Sequence, residues 1–236
     1  MNFAIILASG DGKRMHVDTP KQFLLVEEKP LIYFSLKVFE DNDNIDEIVV
    51  VTKKKYFSYV YECIEKFDFQ KVHLLVSGGK TRQQSVANAI ESLKGFAMSK
   101  DIIVIHDCAR PLVSQRIIND CIEATKKHNA STTAINCVDT IARRKLNKFE
   151  ETLNRSELVN IQTPQAFTYG YIKKAHKIAK AQNIINASDD SQLIKNILNK
   201  NVYLVPGDKY NLKVTTIDDL ELIKAIIKRR HENGTI

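Results

Sequence analysis

The sequence predicts a single α/β domain built on a mostly parallel sheet with helices on both faces. Two observations carry this. Short apolar runs alternate with longer segments of helical periodicity along the 236-residue chain, and such alternation joins each strand to the next through a helical crossover. The residues with unusual chemistry also fall just after the strand segments, where open parallel sheets gather their ligands.

In chain order, the apolar run at 3–7 is the first strand and opens into the polar, glycine-containing segment 8–21. Helical periodicity at 31–39 leads to a valine-rich strand at 47–52, then to a helix at 56–67 and a strand at 72–76, which ends in Ser77-Gly78-Gly79. A helix at 81–93 follows, and the strand at 102–106 runs into Asp107-Cys108-Ala109-Arg110-Pro111. Helix 114–127 precedes the strand at 131–136, after which come Val138-Asp139-Thr140. Helices at 169–181 and 188–198, a strand at 202–205 and a helix at 217–230 complete the pattern. Residues 138–165 break the rhythm. They are polar, with Arg143-Arg144-Lys145-Leu146-Asn147-Lys148 as a hairpin tip, and read as an arm leaving the sheet rather than a second domain.

Hydrophobic content of 44% with 27% charged residues is that of a globular protein able to bury a sizeable core. No apolar run approaches the ~20 residues that span a bilayer, and the chain starts directly with a strand, so a cytoplasmic protein without membrane association is expected. Cys63, Cys108, Cys121 and Cys137 form no C-x-x-C pair, and the histidines show no H-E-x-x-H spacing, so neither a disulfide framework nor a dedicated transition-metal site is expected. The net charge of +7 is spread over the chain without aromatic interleaving. That argues for a cleft steering phosphorylated small molecules and against nucleic-acid binding.

The first loop sharpens this. Asn2-Phe-Ala-Ile-Ile-Leu7 runs into Ala8-Ser9-Gly10-Asp11-Gly12-Lys13-Arg14-Met15 and then Pro20-Lys21-Gln22-Phe23. Glycines let backbone N–H groups approach an anion closely, with Arg14 and Lys21 supplying charge. Met15 stands where a dinucleotide-binding loop needs its third glycine, and there is no G-K-[ST] of a Walker loop.

Further motifs follow in order: Ser77-Gly78-Gly79-Lys80-Thr81-Arg82-Gln83-Gln84-Ser85-Val86, His106-Asp107-Cys108-Ala109-Arg110-Pro111, Gln162-Thr163-Pro164-Gln165-Ala166-Phe167 and Asn211-Leu212-Lys213-Val214-Thr215-Thr216. The ordered set resembles the 2-C-methyl-D-erythritol 4-phosphate cytidylyltransferase family. This resemblance implies a Rossmann-like domain and a reaction of CTP with a polyol phosphate, giving a CDP-polyol and pyrophosphate with a divalent cation, Mg²⁺, as cofactor. Arg14 and Lys21 match its transition-state stabilisers at the CTP phosphates, while Arg155 and Lys213 match the pair that holds the polyol phosphate, with the Thr140 hydroxyl nearby. Ala8, Ser9, Gly10, Gly79 and Ser85 match positions around the base and ribose. Lys80 departs from the frequent pattern, since many members carry an acidic residue there.

Asp107, at a strand end, suits either the magnesium ion on the CTP phosphates or a hydrogen bond to the polyol, and magnesium often takes only one or two carboxylates. His106 reads as a packed strand-end histidine, because an ionised phosphate needs no base. The resemblance further implies a homodimer in which the arm crosses to the partner. Two alternatives stand beside this reading: a ribitol-5-phosphate cytidylyltransferase, toward which Tyr210-Asn211-Leu212-Lys213-Val214-Thr215-Thr216 leans, and a non-catalytic nucleotide-binding module.

Overall fold

The structure is a computed structural model that describes residues 1–10, 12, 15 and 19–232. In chain order it contains β1 (Asn2–Leu7), a small hairpin of β2 (Leu25–Val26) and β3 (Lys29–Pro30), α1 (Leu31–Glu40), β4 (Glu47–Thr52), α2 (Phe57–Lys66), β5 (Val72–Ser77), α3 (Arg82–Ser92) and β6 (Ile102–Asp107). These are followed by α4 (Gln115–His128), β7 (Ala130–Asn136), a second hairpin of β8 (Ala142–Lys145) and β9 (Lys148–Thr152), β10 (Val159–Thr168), α5 (Tyr169–Ala181), α6 (Asp190–Leu198), β11 (Tyr203–Pro206) and α7 (Ile217–Glu232).

Among the described residues the main sheet has seven strands in the order β11-β7-β10-β6-β1-β4-β5. β1 is parallel to both β4 and β6, β4 to β5, and β7 to β11. β10 alone runs antiparallel, wedged between β6 and β7. It is also the one strand of this sheet that the apolar pattern does not predict. Residues 159–165, which the sequence assigns to the arm, are already inside the sheet, because Val159 pairs with Asn136. The excursion is therefore the shorter segment 137–158.

Successive side chains on a strand point to opposite faces, and both faces are apolar here. Ala4 and Ile6 of β1 join Ile48, Val50 and Val104 under α1, α2 and α4. Phe3 and Ile5 join Val49, Val51, Ile103 and Ile105 under α3, α5 and α6. Each fully buried Ile or Phe contributes roughly 1.5–3 kcal/mol relative to exposure, so the continuous apolar runs of β1, β4 and β6 specify the sheet's centre. A third cluster, with Met15, Leu31, Phe34, Val214 and Ile223, docks α7 beside the carboxyl ends of the strands.

Local signals set the helix ends. Thr81 and Ser114 accept backbone N–H groups from Gln84 and Ile117 and so cap α3 and α4. Asn129 ends α4 in the left-handed conformation, with φ of 65°.

Candidate active site

A cleft of about 840 Å³ opens at the carboxyl ends of β1, β4, β5 and β6, as expected for a sheet of this kind. Its walls come from the segments that follow those strands, together with Lys21 and Lys213.

The glycine-rich wall is closely fitted. A Cβ on Gly78 would collide with the Ser9 side chain of the loop after β1, and one on Gly79 with the Gln84 side chain at the start of α3, so glycine at both positions lets the loop after β5 lie against each. Ser85 Oγ ties them together: it receives the Gly79 N–H at 3.0 Å, lies 3.1 Å from Ser9 Oγ and donates to the Thr81 carbonyl at 3.0 Å. The Ala8 carbonyl is taken by Gln22 Nε2 at 2.7 Å and by Thr52 Oγ1 at 3.3 Å, which pins the loop after β1 to the short turn carrying Lys21. The Lys80 N–H is already engaged by Gln84 Oε1 at 2.8 Å.

Opposite this wall the two lysines converge. Lys21 Nζ donates to the carbonyl of Val214, the residue after Lys213, at 2.9 Å, and the Val214 N–H in turn donates to Ala109 at 2.8 Å. Lys213 Nζ sits 2.6 Å from Asp107 Oδ2. The Asp107 Oδ1 atom lies 3.5 Å from Arg82 Nε, and Arg82 Nη1 reaches the buried Asp190 at 2.6 Å. Burial alone would raise the Asp107 carboxyl, but Arg82 and Lys213 outweigh it and hold the group well below the usual carboxylate range. Arg82 is likewise disfavoured by burial, yet Asp190 and Asp107 raise its guanidinium above the ordinary value.

Beneath Asp107 lies a neutral relay. His106 is fully buried, and burial lowers its pKa to about 4. Its Nε2 faces the Arg110 carbonyl at 3.1 Å and must donate, so Nδ1 accepts from Thr163 Oγ1 at 3.1 Å. The same Thr163 oxygen receives the Asp107 N–H at 3.1 Å. The motif 162–165 is a bulge in β10, at which Pro164 needs no ladder partner for its missing N–H. Asn211 Nδ2 donates to the Thr163 carbonyl at 2.9 Å, which fixes the loop that presents Lys213. Burial pushes the Cys108 thiol up to about 12, so no thiolate nucleophile is present at neutral pH.

Of the residues singled out in the sequence, the structure brings Ala8, Ser9, Gly10, Lys21, Gly79, Ser85, Asp107 and Lys213 to one cleft. Arg14 lies outside the described residues. Thr140 and Arg155 belong to the exposed arm and do not line the cleft of their own chain; Arg155 Nη1 donates to the Val138 carbonyl at 2.8 Å. Arg82, Lys53 and Lys54 line the cleft without having been singled out as site residues. The Lys53-Lys54-Lys55 charge run following a strand was the available signal for the last two.

The family model for IspD, 2-C-methyl-D-erythritol 4-phosphate cytidylyltransferase, matches residues 2–229. The chain belongs to this family. A cytidylyltransferase of that name from Clostridium perfringens (strain SM101 / Type A) is 42% identical over 95% of this chain and 98% of its own length. One from Clostridium acetobutylicum is 39% identical over 97% and 98%. Among solved structures, the 4-diphosphocytidyl-2C-methyl-D-erythritol synthase of Anaerococcus prevotii superposes with a TM-score of 0.81 at 29% identity, covering 96% of this chain and 95% of that one. The cytidylyltransferase of Thermus thermophilus gives 0.78 at 26%, covering 97% and 100%. As an IspD-family nucleotidyltransferase, the chain has the α/β sheet with flanking helices that these structures share. Among its described residues no helix is long and apolar enough to cross a membrane.

Proposed function

We infer that this cytidylyltransferase joins CTP to 2-C-methyl-D-erythritol 4-phosphate, releasing pyrophosphate. An oxygen of the polyol phosphate attacks the α-phosphorus of CTP, a new P–O bond forms, and the bond from that phosphorus to the bridging oxygen of pyrophosphate breaks. No covalent enzyme intermediate is needed, because the nucleophile arrives ionised. The protein's task is to bring two anions together and to stabilise charge that grows in the transition state.

The observation that carries this reading is the convergence of Lys21 and Lys213 through Val214 and Asp107. Two ammonium groups, one held by the Val214 carbonyl and the other by the Asp107 carboxylate, suit two phosphates that must meet. The fitted wall of Ser9, Gly79 and Ser85 suits the cytosine and ribose, and Lys21, with Arg14 beside it in the sequence, suits the triphosphate. Lys213 and Asp107 then face the polyol phosphate.

Magnesium would enter with the substrate, carried by CTP, and would neutralise charge on its phosphates. Both Asp107 oxygens are turned to cations, and among the described residues no group of three His, Cys, Asp or Glu side chains is arranged as a metal cage. With both oxygens engaged by Lys213 and Arg82, Asp107 would meet this ion through water, which suits a cation that keeps most of its waters.

The arm supports a homodimer with composite sites. Val138, Leu146 and Phe149 are 78%, 88% and 71% exposed, and such an apolar set on a two-stranded hairpin calls for a partner surface. Arg155 and Thr140 would then serve the neighbour's cleft.

The test is pyrophosphate release with CTP and Mg²⁺ in the presence of 2-C-methyl-D-erythritol 4-phosphate or of ribitol 5-phosphate. Turnover is expected with the former. Preference for the latter would overturn the substrate assignment, and tight CTP binding without turnover on either would favour the non-catalytic module.

A further inference from the structure

Arg82 stands between two carboxylates that come from distant parts of the chain. One is Asp107 at the end of β6, in the cleft; the other is Asp190 at the start of α6, whose side chain is 1% exposed. Asp190 is further held by its own N–H to Gln165 Oε1 at 3.1 Å and approached by His176 Nε2 at 3.4 Å. Lys213, Asp107, Arg82 and Asp190 therefore form a row of alternating charges, and those four charges cancel. A buried ion pair of this kind is not in itself a source of net stability, which leaves open what the row does for the cleft.

The distances suggest an answer. Asp107 lies tight against Lys213 at 2.6 Å and looser against Arg82 at 3.5 Å. When a dianionic polyol phosphate engages Lys213, the Asp107 carboxylate is left beside the incoming anion and repels it. Among the described residues Arg82 is the one cation in ion-pair contact with the other Asp107 oxygen, and its grip on Asp190 fixes its position.

We propose that Arg82, braced by Asp190, is a positioning residue that takes up the Asp107 charge as Lys213 turns to the polyol phosphate. The proposal rests on the assignment of Lys213 and Asp107 to the polyol side of the cleft. It gives the nucleotide motif 77–86 a second task, since one residue of that motif governs capture of the other substrate.

The competing role for Arg82 is purely structural, namely neutralising buried Asp190, and a double variant separates the two. Arg82→Gln leaves Asp190 buried without its counter-charge and lowers thermal stability, while Arg82→Gln with Asp190→Asn removes both charges and recovers it. Steady-state kinetics of the double variant are expected to keep a KM for 2-C-methyl-D-erythritol 4-phosphate raised about tenfold or more, with the KM for CTP within about threefold of wild type. Arg82→Lys, which keeps the charge, should restore most of the polyol-phosphate KM. If the double variant recovers that KM together with its melting temperature, or if the KM for CTP rises as much, the proposal is overturned. Should Arg82→Gln and the double variant both fold poorly, Arg82→Lys alone, which keeps both the charge and Asp190, is read instead, and a tenfold loss of polyol-phosphate affinity there overturns the positioning role. Lys213→Ala tested alongside keeps the underlying assignment separate, because an unchanged polyol-phosphate KM in that variant sinks the assignment whatever Arg82 does.

Discussion

The cleft and the arm solve opposite problems with the same chain. In the cleft, polar groups are tied to one another: Ser85 serves three partners, Gln22 pins the Ala8 carbonyl, and Asp107 is held from both sides, while Arg82 Nη2 is buried without a hydrogen-bond partner among the described residues. In the arm, every residue from Ala142 to Thr152 is exposed, including large apolar side chains, and the strand pair has only itself to pack on. The cleft draws its glycine-rich wall, Lys21, Asp107 and Lys213 from one chain. On the proposed reading the arm is half of a surface, and Arg155 and Thr140 gain a function only when another subunit covers it.

The largest effect expected from breaking the cleft half is at Lys21. Lys21→Ala should lower turnover by roughly two to three orders of magnitude, the size seen when a preorganised charge is removed from a site of developing negative charge. Circular dichroism should show the fold intact. Near-normal turnover in a folded variant would remove Lys21 from the mechanism.

Mixing subunits sharpens the comparison directly. Lys21→Ala and Arg155→Ala preparations, each nearly inactive, should recover about one quarter of wild-type activity after exchange, since half the dimers are mixed and each mixed dimer has one intact site. Exchange demonstrated by differently tagged subunits, without any recovery, would show that Arg155 serves its own chain. A companion change, Leu146→Asp with Phe149→Asp, should shift the protein to a monomer in sedimentation velocity while leaving CTP binding within about threefold. Weakened CTP binding in that monomer would mean that the nucleotide half is not complete in one chain.

The smallest effect concerns the floor of the cleft. The pKa of His106 is lowered to about 4 in the folded chain, against about 6.5 in the unfolded one. Between these values the unfolded state binds the extra proton, so stability rises with pH through this window and falls on acidification. Denaturation at pH 7 and pH 5 should differ by roughly 2 kcal/mol from this group, and His106→Gln should flatten that slope. Asp107 acts lower down, because its contribution is lost only below the ordinary carboxylate pKa of about 4. An unchanged slope in the His106 variant would assign the pH dependence to other groups.

Much of this was legible because local chemistry and fold agree. The helices and six of the main-sheet strands lie within about two residues of their sequence-based boundaries, since continuous apolar runs such as Ile48–Val51 admit few other readings. Strand β10 was not legible, for a physical reason. Gln162, Thr163, Pro164 and Gln165 look like a polar turn, yet Gln165 is fully buried with its amide bonded to Thr132 Oγ1 and the Asp190 N–H. Buried polar side chains that satisfy one another across the fold leave no periodic trace. Arg82 escaped for a related reason: its partners lie 25 and 108 positions away, and no local pattern announces an ion pair of that span. The glycines, by contrast, stand out in the sequence, and the structure shows Gly78 against the Ser9 loop and Gly79 against Gln84 of α3, where a side chain would collide.

One consequence of β10 bears on where this chain can change length. The strand leaves the arm at Val159 and delivers Gln165 beneath the cleft about 14 Å further on, since it runs alongside the β7 residues from Asn136 to Thr132 at some 3.4 Å each and the bulge at 162–164 takes up the difference. A single residue inserted between these points would turn each later side chain to the opposite face, withdrawing Thr163 from His106 and Gln165 from Asp190 in one step. The hairpin tip at Leu146-Asn147 bears no such constraint, since nothing beyond its own two strands counts register from it. Insertions at the tip therefore leave the floor of the cleft in register and burden only the surface assigned to the partner subunit, and the strand behind it acts as a ruler whose length the chemistry has set.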